Sequence, residues 1–403
     1  MSERIGIIGA GVMGSGIAQL AVQSGYEVIL TDTMPQQLEL AVSRITAGLD
    51  AGVKRGFVEA STRDRALGNL EVTSRLDEVA QAVVIIENIW EDQSDKHRLF
   101  EELDHLSPES SIFASNTSTL PITSLAETSQ RPANFIGLHF FSPVHRMKLV
   151  EIIRGEQTSD ACLASAMDFV EAIGKTPIVV NDGRGFYTSR VFGTYVQEGM
   201  ALLSEGTVPA LIENAGCLAG MPVGPLEVAD AVSLELIYKV SLQTKADLGD
   251  SYIAPPGEQV ITKMVKKLGR LGKKAGKGFF DYPMDAPKQL WFGLTEQFPQ
   301  KPSAEQPDVD LVKKRLLYIQ AIETARCLEE NVVPTPVAAD IGSDMGWGFA
   351  PHTGGVVSMI DTIGITTFVA ECEVLAQKFG ERFSPPKVLL ERARNDQPFY
   401  PAI

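Results

Sequence analysis

Five histidines limit which residue of this chain could move a proton near neutral pH. His97 and His105 fall in a polar helical stretch, His352 in a loop, and His145 in a turn opened by proline. His139 differs: it ends the apolar run FIGLHFF and precedes Ser-Pro, which places it at a strand's carboxyl end. In an open α/β sheet that end faces the ligand crevice. Further on, Glu151 interrupts the apolar run KLVEII. A carboxylate buried in such a run is costly unless it has a partner. Pairing satisfies both residues, because Glu151 fixes the imidazole tautomer and stabilises the imidazolium that a general base must become.

A second constellation opens the chain. Gly9, Gly11 and Gly14 make a GxGxxG loop between the strand RIGII and the helix SGIAQLAVQSG. Gly9 allows the tight turn, Gly11 lets the backbone approach a pyrophosphate, and Gly14 lets helix and strand pack closely. The helix N-terminus then offers free N–H groups to the phosphates. Asp32 ends the next strand, EVILTD; a carboxylate there accepts from ribose hydroxyls and repels a 2′-phosphate, so NAD is expected over NADP.

Elements must bring these residues together. Candidate strands are 4–8, 27–31, 82–87, 111–115, 135–140, 147–153 and 177–181, with helical stretches at 14–24, 34–51 and 96–106. Their alternation predicts a mostly parallel sheet with covered faces. After Gly185 the apolar spacing becomes helical. Five prolines within 283–307 predict a linker. The helical portions on either side of it resemble each other: Arg190 opposes Arg315, Glu198 opposes Glu323, MPVGP opposes WGFAP, and Asp230 opposes Asp361. Duplication is the expectation. The predicted segments are therefore a nucleotide-binding domain at 1–183, a helical domain at 184–283, a linker at 284–308 and a second helical repeat at 309–403.

Bulk properties narrow the class. A net charge of −15 excludes the broad basic surface that nucleic-acid binding needs. No apolar run approaches the roughly 20 residues of a membrane span. The four cysteines are dispersed with no CxxC pair, so neither a metal site nor a disulfide framework is expected. The chain starts with Met and reaches its first strand by Arg4, which leaves no room for a targeting peptide, so the cytoplasm is the expected compartment.

The stretches GIIGAGVMGSGIAQ, FASNTSTLPIT, GLHFFSPVHRMKLVEII and GKKAGKGFFDY together resemble the L-3-hydroxyacyl-CoA dehydrogenase family over about residues 4–282. The later repeat is similar to the tail of multifunctional fatty-acid β-oxidation enzymes, whose hydratase domain precedes the dehydrogenase part; this chain starts at the nucleotide fold instead. The resemblance implies a Rossmann-type α/β domain followed by two repeated all-α domains. It implies NAD as cofactor and NAD-dependent oxidation of L-3-hydroxyacyl-CoA to 3-oxoacyl-CoA.

Carried over by position, the resemblance makes His139 the base, Glu151 its orienter and Ser118 the donor to the substrate's reacting oxygen, with Asn116 holding the turn. It places Met13, Glu91, Lys96, Ser142 and Lys274 beside the cofactor. Ser189 stands in GFYTSR where relatives carry asparagine near the thioester, which leaves a dehydrogenase of a non-CoA 3-hydroxy acid (carnitine or a sugar acid) as the alternative. The basic segment 44–65 would cover the CoA nucleotide, with Lys54 and Arg55 singled out. A monomer or loose homodimer is expected, the second repeat taking a dimer partner's place, with a hydratase or thiolase as possible partner.

Overall fold

The computed structural model describes residues 4–401. Its contacts divide the chain into two compact units rather than the four expected segments. The first runs to Ser189 and also takes in Glu330–Gly346; the second holds Arg190–Glu329 and everything from Trp347 onward.

The first unit is built on an eight-stranded sheet: β1 (Arg4–Ile8), β2 (Glu27–Thr31), β3 (Leu70–Thr73), β4 (Val84–Glu87), β5 (Ile112–Ser115), β6 (Phe135–Phe140), β7 (Leu149–Arg154) and β8 (Thr176–Asn181), in the spatial order β3-β2-β1-β4-β5-β6-β7-β8. Neighbours are parallel except β6 and β7, which are joined by a short turn and run antiparallel. Ile5, Ile7, Val28, Leu30, Val84, Ile86, Ile136, Leu138, Val150 and Ile152 pack as one core with helices α1 (Val12–Gln23) and α2 (Pro35–Lys54). Burial on both faces is why these strands read as continuous apolar runs. β3 went unpredicted because LEVT is an edge strand with half-exposed and exposed side chains, so no apolar run marks it.

Glu330–Gly346 belongs to this unit because it is hydrogen-bonded to the end of β8 and to the segment that follows it. Asn181 N–H donates to Val332 O at 2.9 Å, its amide donates to Asn331 O at 2.7 Å, and the Tyr187 hydroxyl donates to Ala339 O at 2.9 Å.

The second unit is helical: the helix Thr188–Ser204 belongs to it from Arg190 onward, and Val309–Glu329 is its longest described element. Arg190 pairs with Glu323 at 2.6 Å, and Arg315 pairs with Glu198 at 2.6 Å. Asp230 accepts from the N–H groups of Phe279 and Phe280, both at 2.8 Å, and Asp361 accepts from those of Phe399 and Tyr400 at 3.0 and 2.9 Å. The proline-rich stretch expected as a linker is laid down on this unit. Leu294 and Phe298 are buried, Lys301 N–H donates to Gly206 O at 2.9 Å, and the Gln306 side chain binds both Val208 N–H and Gly206 O. Its prolines interrupt helices, but the apolar residues between them anchor it.

Candidate active site

The glycine loop leaves β1 with Gly9 at φ 99°, a conformation that favours glycine. A Cβ on Gly14 would stand 1.8 Å from Gly9 O, so Gly14 is dictated by packing. A Cβ on Gly11 would meet nothing within 4 Å; glycine there keeps open the space a pyrophosphate needs. Asp32 closes the loop, accepting from Ala10 N–H at 2.8 Å and Met34 N–H at 2.9 Å. This cradle fits a dinucleotide with free ribose hydroxyls. Met13 is half-buried on the first turn of α1.

His139 and Glu151 lie directly opposite each other in the β6–β7 register. Nδ1 of His139 is 2.9 Å from Glu151 Oε2, with the side chains 6% and 0% exposed. The carboxylate is fully engaged: Oε1 accepts from Tyr187 N–H at 2.9 Å and Thr188 N–H at 3.0 Å, and Oε2 also accepts from the Thr188 hydroxyl at 2.6 Å. Nδ1 therefore carries the proton toward Glu151 and Nε2 is left to accept one. The rings of Phe141 and Phe186 flank the imidazole at 4.5 and 6.0 Å between centroids.

Ser118 is exposed in the turn after β5, its hydroxyl bonded to no described residue. Glu91 shapes this turn: its Oε1 accepts from the Thr117 hydroxyl at 2.5 Å, Ser118 N–H at 3.0 Å, and both the N–H and the hydroxyl of Thr119 at 3.1 and 3.0 Å. Burial works to raise the Glu91 carboxyl, but the Lys96 ammonium and these donors outweigh it and hold it below its ordinary value. Lys96 itself is buried rather than solvated. Its ammonium sits 2.5 Å from Glu87 and 3.5 Å from Glu91, and Glu87 also accepts from the Ser115 hydroxyl at 2.6 Å. Asn116 links two strand ends, donating to Asn88 Oδ1 at 2.9 Å and accepting from Phe140 N–H at 2.8 Å.

Four of these supporting residues escaped sequence reasoning: Glu87, Asn88, Thr188 and Lys175. Glu87 carried a signal, a carboxylate in an apolar run like that of Glu151; the others had none. The Lys175 ammonium donates to Val144 O and Met147 O at 2.5 and 2.6 Å, bracing the turn that follows His139, and burial lowers it to about 8. His145 in that turn is held below its ordinary value by burial and by Arg146, Lys175 and Arg55 around it. Ser142 is exposed in the same turn. Lys54 and Arg55 are exposed at the end of α2, and Arg63 in the following helix is tied to Asp50 and Asp64 at 2.9 Å each. Ser189 is half-buried on the first turn of its helix, and Lys274 is exposed in a loop of the helical unit.

A cradle for a dinucleotide at one strand end and a proton acceptor at another are the two requirements of alcohol–carbonyl oxidation, and they place the chain among the NAD-dependent oxidoreductases. Residues 4–183 match the NAD-binding domain of 3-hydroxyacyl-CoA dehydrogenase, and residues 185–282 match its C-terminal domain. The chain belongs to the 3-hydroxyacyl-CoA dehydrogenase family. It is 35% identical over 402 residues to the fatty acid oxidation complex subunit alpha of Shewanella putrefaciens, a match covering 98% of this chain and 56% of that one. The chain thus spans about half the length of the curated relatives it matches. Among solved structures it is similar to 3-hydroxybutyryl-CoA dehydrogenase from Escherichia coli K12, with TM-score 0.84 and 25% identity over 98% of this chain and 99% of that one. It is also similar to (S)-3-hydroxybutyryl-CoA dehydrogenase from Ralstonia eutropha, with TM-score 0.66 and 32% identity over 70% of this chain and 100% of that one.

Proposed function

We propose that this chain oxidises L-3-hydroxyacyl-CoA to 3-oxoacyl-CoA in fatty-acid β-oxidation. The observation that carries the reading is the buried His139–Glu151 pair at the end of β6. In this reading Nε2 of His139 takes the 3-hydroxyl proton, and Glu151 holds the tautomer and stabilises the imidazolium. Ser118 donates its free hydroxyl to the reacting oxygen, positioned by Glu91 and the Asn116–Asn88 link. Bound NAD supplies the acceptor for the C3 hydride. Asp32 and the glycine loop hold that cofactor, with Met13 and Ser142 as further contacts.

The exposed basic residues Lys54, Arg55 and Arg146 support a CoA substrate, because they place cations on a chain of net charge −15. Ser189 would approach the thioester through a bridging water where an asparagine would reach directly. The helical portions are read as two copies of one repeat, supported by the reciprocal pairs Arg190–Glu323 and Arg315–Glu198 and by the matching roles of Asp230 and Asp361. The setting proposed is the cytoplasm, with a hydratase or thiolase as partner. Among the described residues no helix is long and apolar enough to cross a membrane.

The test is NADH appearance with NAD and L-3-hydroxyacyl-CoA substrates from four to sixteen carbons. Turnover that is lost with NADP supports the reading. Failure across the series with NAD still bound would transfer the assignment to a non-CoA 3-hydroxy acid, with Ser189 the first residue to examine.

A further inference from the structure

We propose that Thr188 is a positioning residue that sets the proton affinity of His139 by sharing one oxygen of Glu151 with it. The inference rests on His139 being the base of the reaction proposed above. Of the bonds to Glu151, the two on Oε1 come from backbone N–H groups that any residue at 187 and 188, proline excepted, would supply. Oε2 is different. It receives His139 Nδ1 at 2.9 Å and the Thr188 hydroxyl at 2.6 Å, and only the side chain chosen at 188 decides whether the second bond exists.

The three groups are closed off from water, with Thr188 2%, Glu151 0% and His139 4% exposed. In such surroundings a hydroxyl bonded to a carboxylate stabilises its charge and takes a share of it. Less charge remains on Oε2 to stabilise the imidazolium. Without the hydroxyl, the carboxylate pulls harder on Nδ1–H, and it also holds a proton more readily itself. Both changes raise the pair's affinity for a proton, so they act in the same direction.

Other charged groups on the surrounding elements have partners or lie apart. Glu87, Glu91 and Lys96 pair with one another near the end of β4, across β5 from β6. Asp182, after β8, accepts from Ile122 and Thr123 N–H. Arg184 lies in the turn before Phe186, Asp340 is buried on the helix Pro336–Gly342, and Asp344 is exposed in the turn after it. None of these bonds Oε2, so Thr188 is the group that competes with His139 for it.

The test is a titration of histidine-labelled full-length enzyme followed by NMR, without substrate. With five histidines the His139 resonance is assigned by its loss in His139→Ala. Thr188→Val keeps the shape and removes the hydroxyl, and its His139 midpoint is expected to rise by about one pH unit, equal to about a tenfold gain in proton affinity. Thr188→Ser, which restores a hydroxyl, is expected to return the midpoint to the wild-type value. Thr188→Ala carries the same expectation as valine should the valine variant fail to fold. The acid limb of kcat/KM should move upward with the midpoint. An unchanged midpoint in folded Thr188→Val or Thr188→Ala overturns the assignment, whatever happens to stability or kcat. A raised midpoint upholds it even where wild-type enzyme turns over no 3-hydroxyacyl-CoA, the result that would instead overturn the function proposed above; a lowered midpoint overturns it.

Discussion

At the scale of single residues, the chemistry comes down to which atoms surround His139 and Glu151. Replacing His139 by alanine removes the proposed proton acceptor and leaves the glycine loop untouched. A fall in kcat of more than about a hundredfold is expected, with NAD affinity unchanged. Steady-state NADH formation and a fluorescence titration with NAD check the two halves; near-normal turnover would sink the role. Glu151→Gln should lose less than His139→Ala and keep NAD binding. It also destabilises, because an NH₂ in the place of Oε1 would face the two backbone N–H groups, and an NH₂ in the place of Oε2 would face Nδ1–H of His139. His139 and Glu151 were legible in sequence because each breaks a pattern, a titratable group at the end of or inside an apolar run. Thr188, Asn88 and Lys175 were not, since their roles are hydrogen bonds to residues far along the chain and leave no local trace. Lys96 was half legible: the resemblance singled it out, but its burial against Glu87 is set by the sheet.

At the scale of elements, the glycine loop separates packing from binding. Gly14→Ala would drive a Cβ into Gly9 O at 1.8 Å, so loss of fold or a large fall in Tm is expected. Gly11→Ala meets no protein atom within 4 Å, so the protein should fold normally and lose NAD affinity by tenfold or more, on the order expected when a methyl group blocks the pyrophosphate's approach. Equal behaviour of the two variants, by circular dichroism and NAD titration, would contradict this division. This element was fully legible, since its motif fixes both the turn and the helix that follows. The edge strand β3 and the anchored stretch at 284–308 were not, because a half-exposed strand and a proline-broken segment differ from loops only in what packs on them. In the helical unit, Glu213 accepts from Leu226 and Glu227 N–H at the start of the helix Pro225–Val232, and burial pushes its carboxyl up to about 7 from an ordinary 4.5. Between those values the unfolded chain has released a proton that the folded one keeps, so this group's contribution to stability falls as pH rises from about 4.5 to about 7 and is level above. Glu213→Gln cannot ionise and should flatten that part of the Tm-against-pH curve. Identical slopes would mean that the two N–H bonds already hold the carboxylate charged.

At the scale of the whole molecule, the reciprocal ion pairs have a consequence. A pairing in which Arg190 meets Glu323 while Arg315 meets Glu198 is the pattern a two-fold interface makes between identical subunits, where residue i meets j and j meets i. In the proposed reading of two repeat copies, one chain supplies both halves, and the surface that a single helical copy would offer to a partner is already used. Light scattering is expected to give the monomer mass over the micromolar range. An obligate dimer would contradict the substitution of a repeat for a partner. The two halves of the pattern are unequal in environment. Arg315 is 2% exposed and also binds Glu205 through two nitrogens, whereas Arg190 is 24% exposed. Removing one partner of a buried pair leaves an uncompensated charge and costs on the order of 3–5 kcal/mol, whereas a partly solvated pair is worth far less. Arg382 remains beside Glu198 at 2.8 Å and offsets part of the loss, which sets the lower end of that range as the expectation for Arg315→Ala. A fall in Tm of the helical unit of roughly 7 °C for Arg315→Ala against a degree or two for Arg190→Ala follows from the usual relation between stability and Tm. Equal effects would show that the buried cluster is not what holds the two helical halves together.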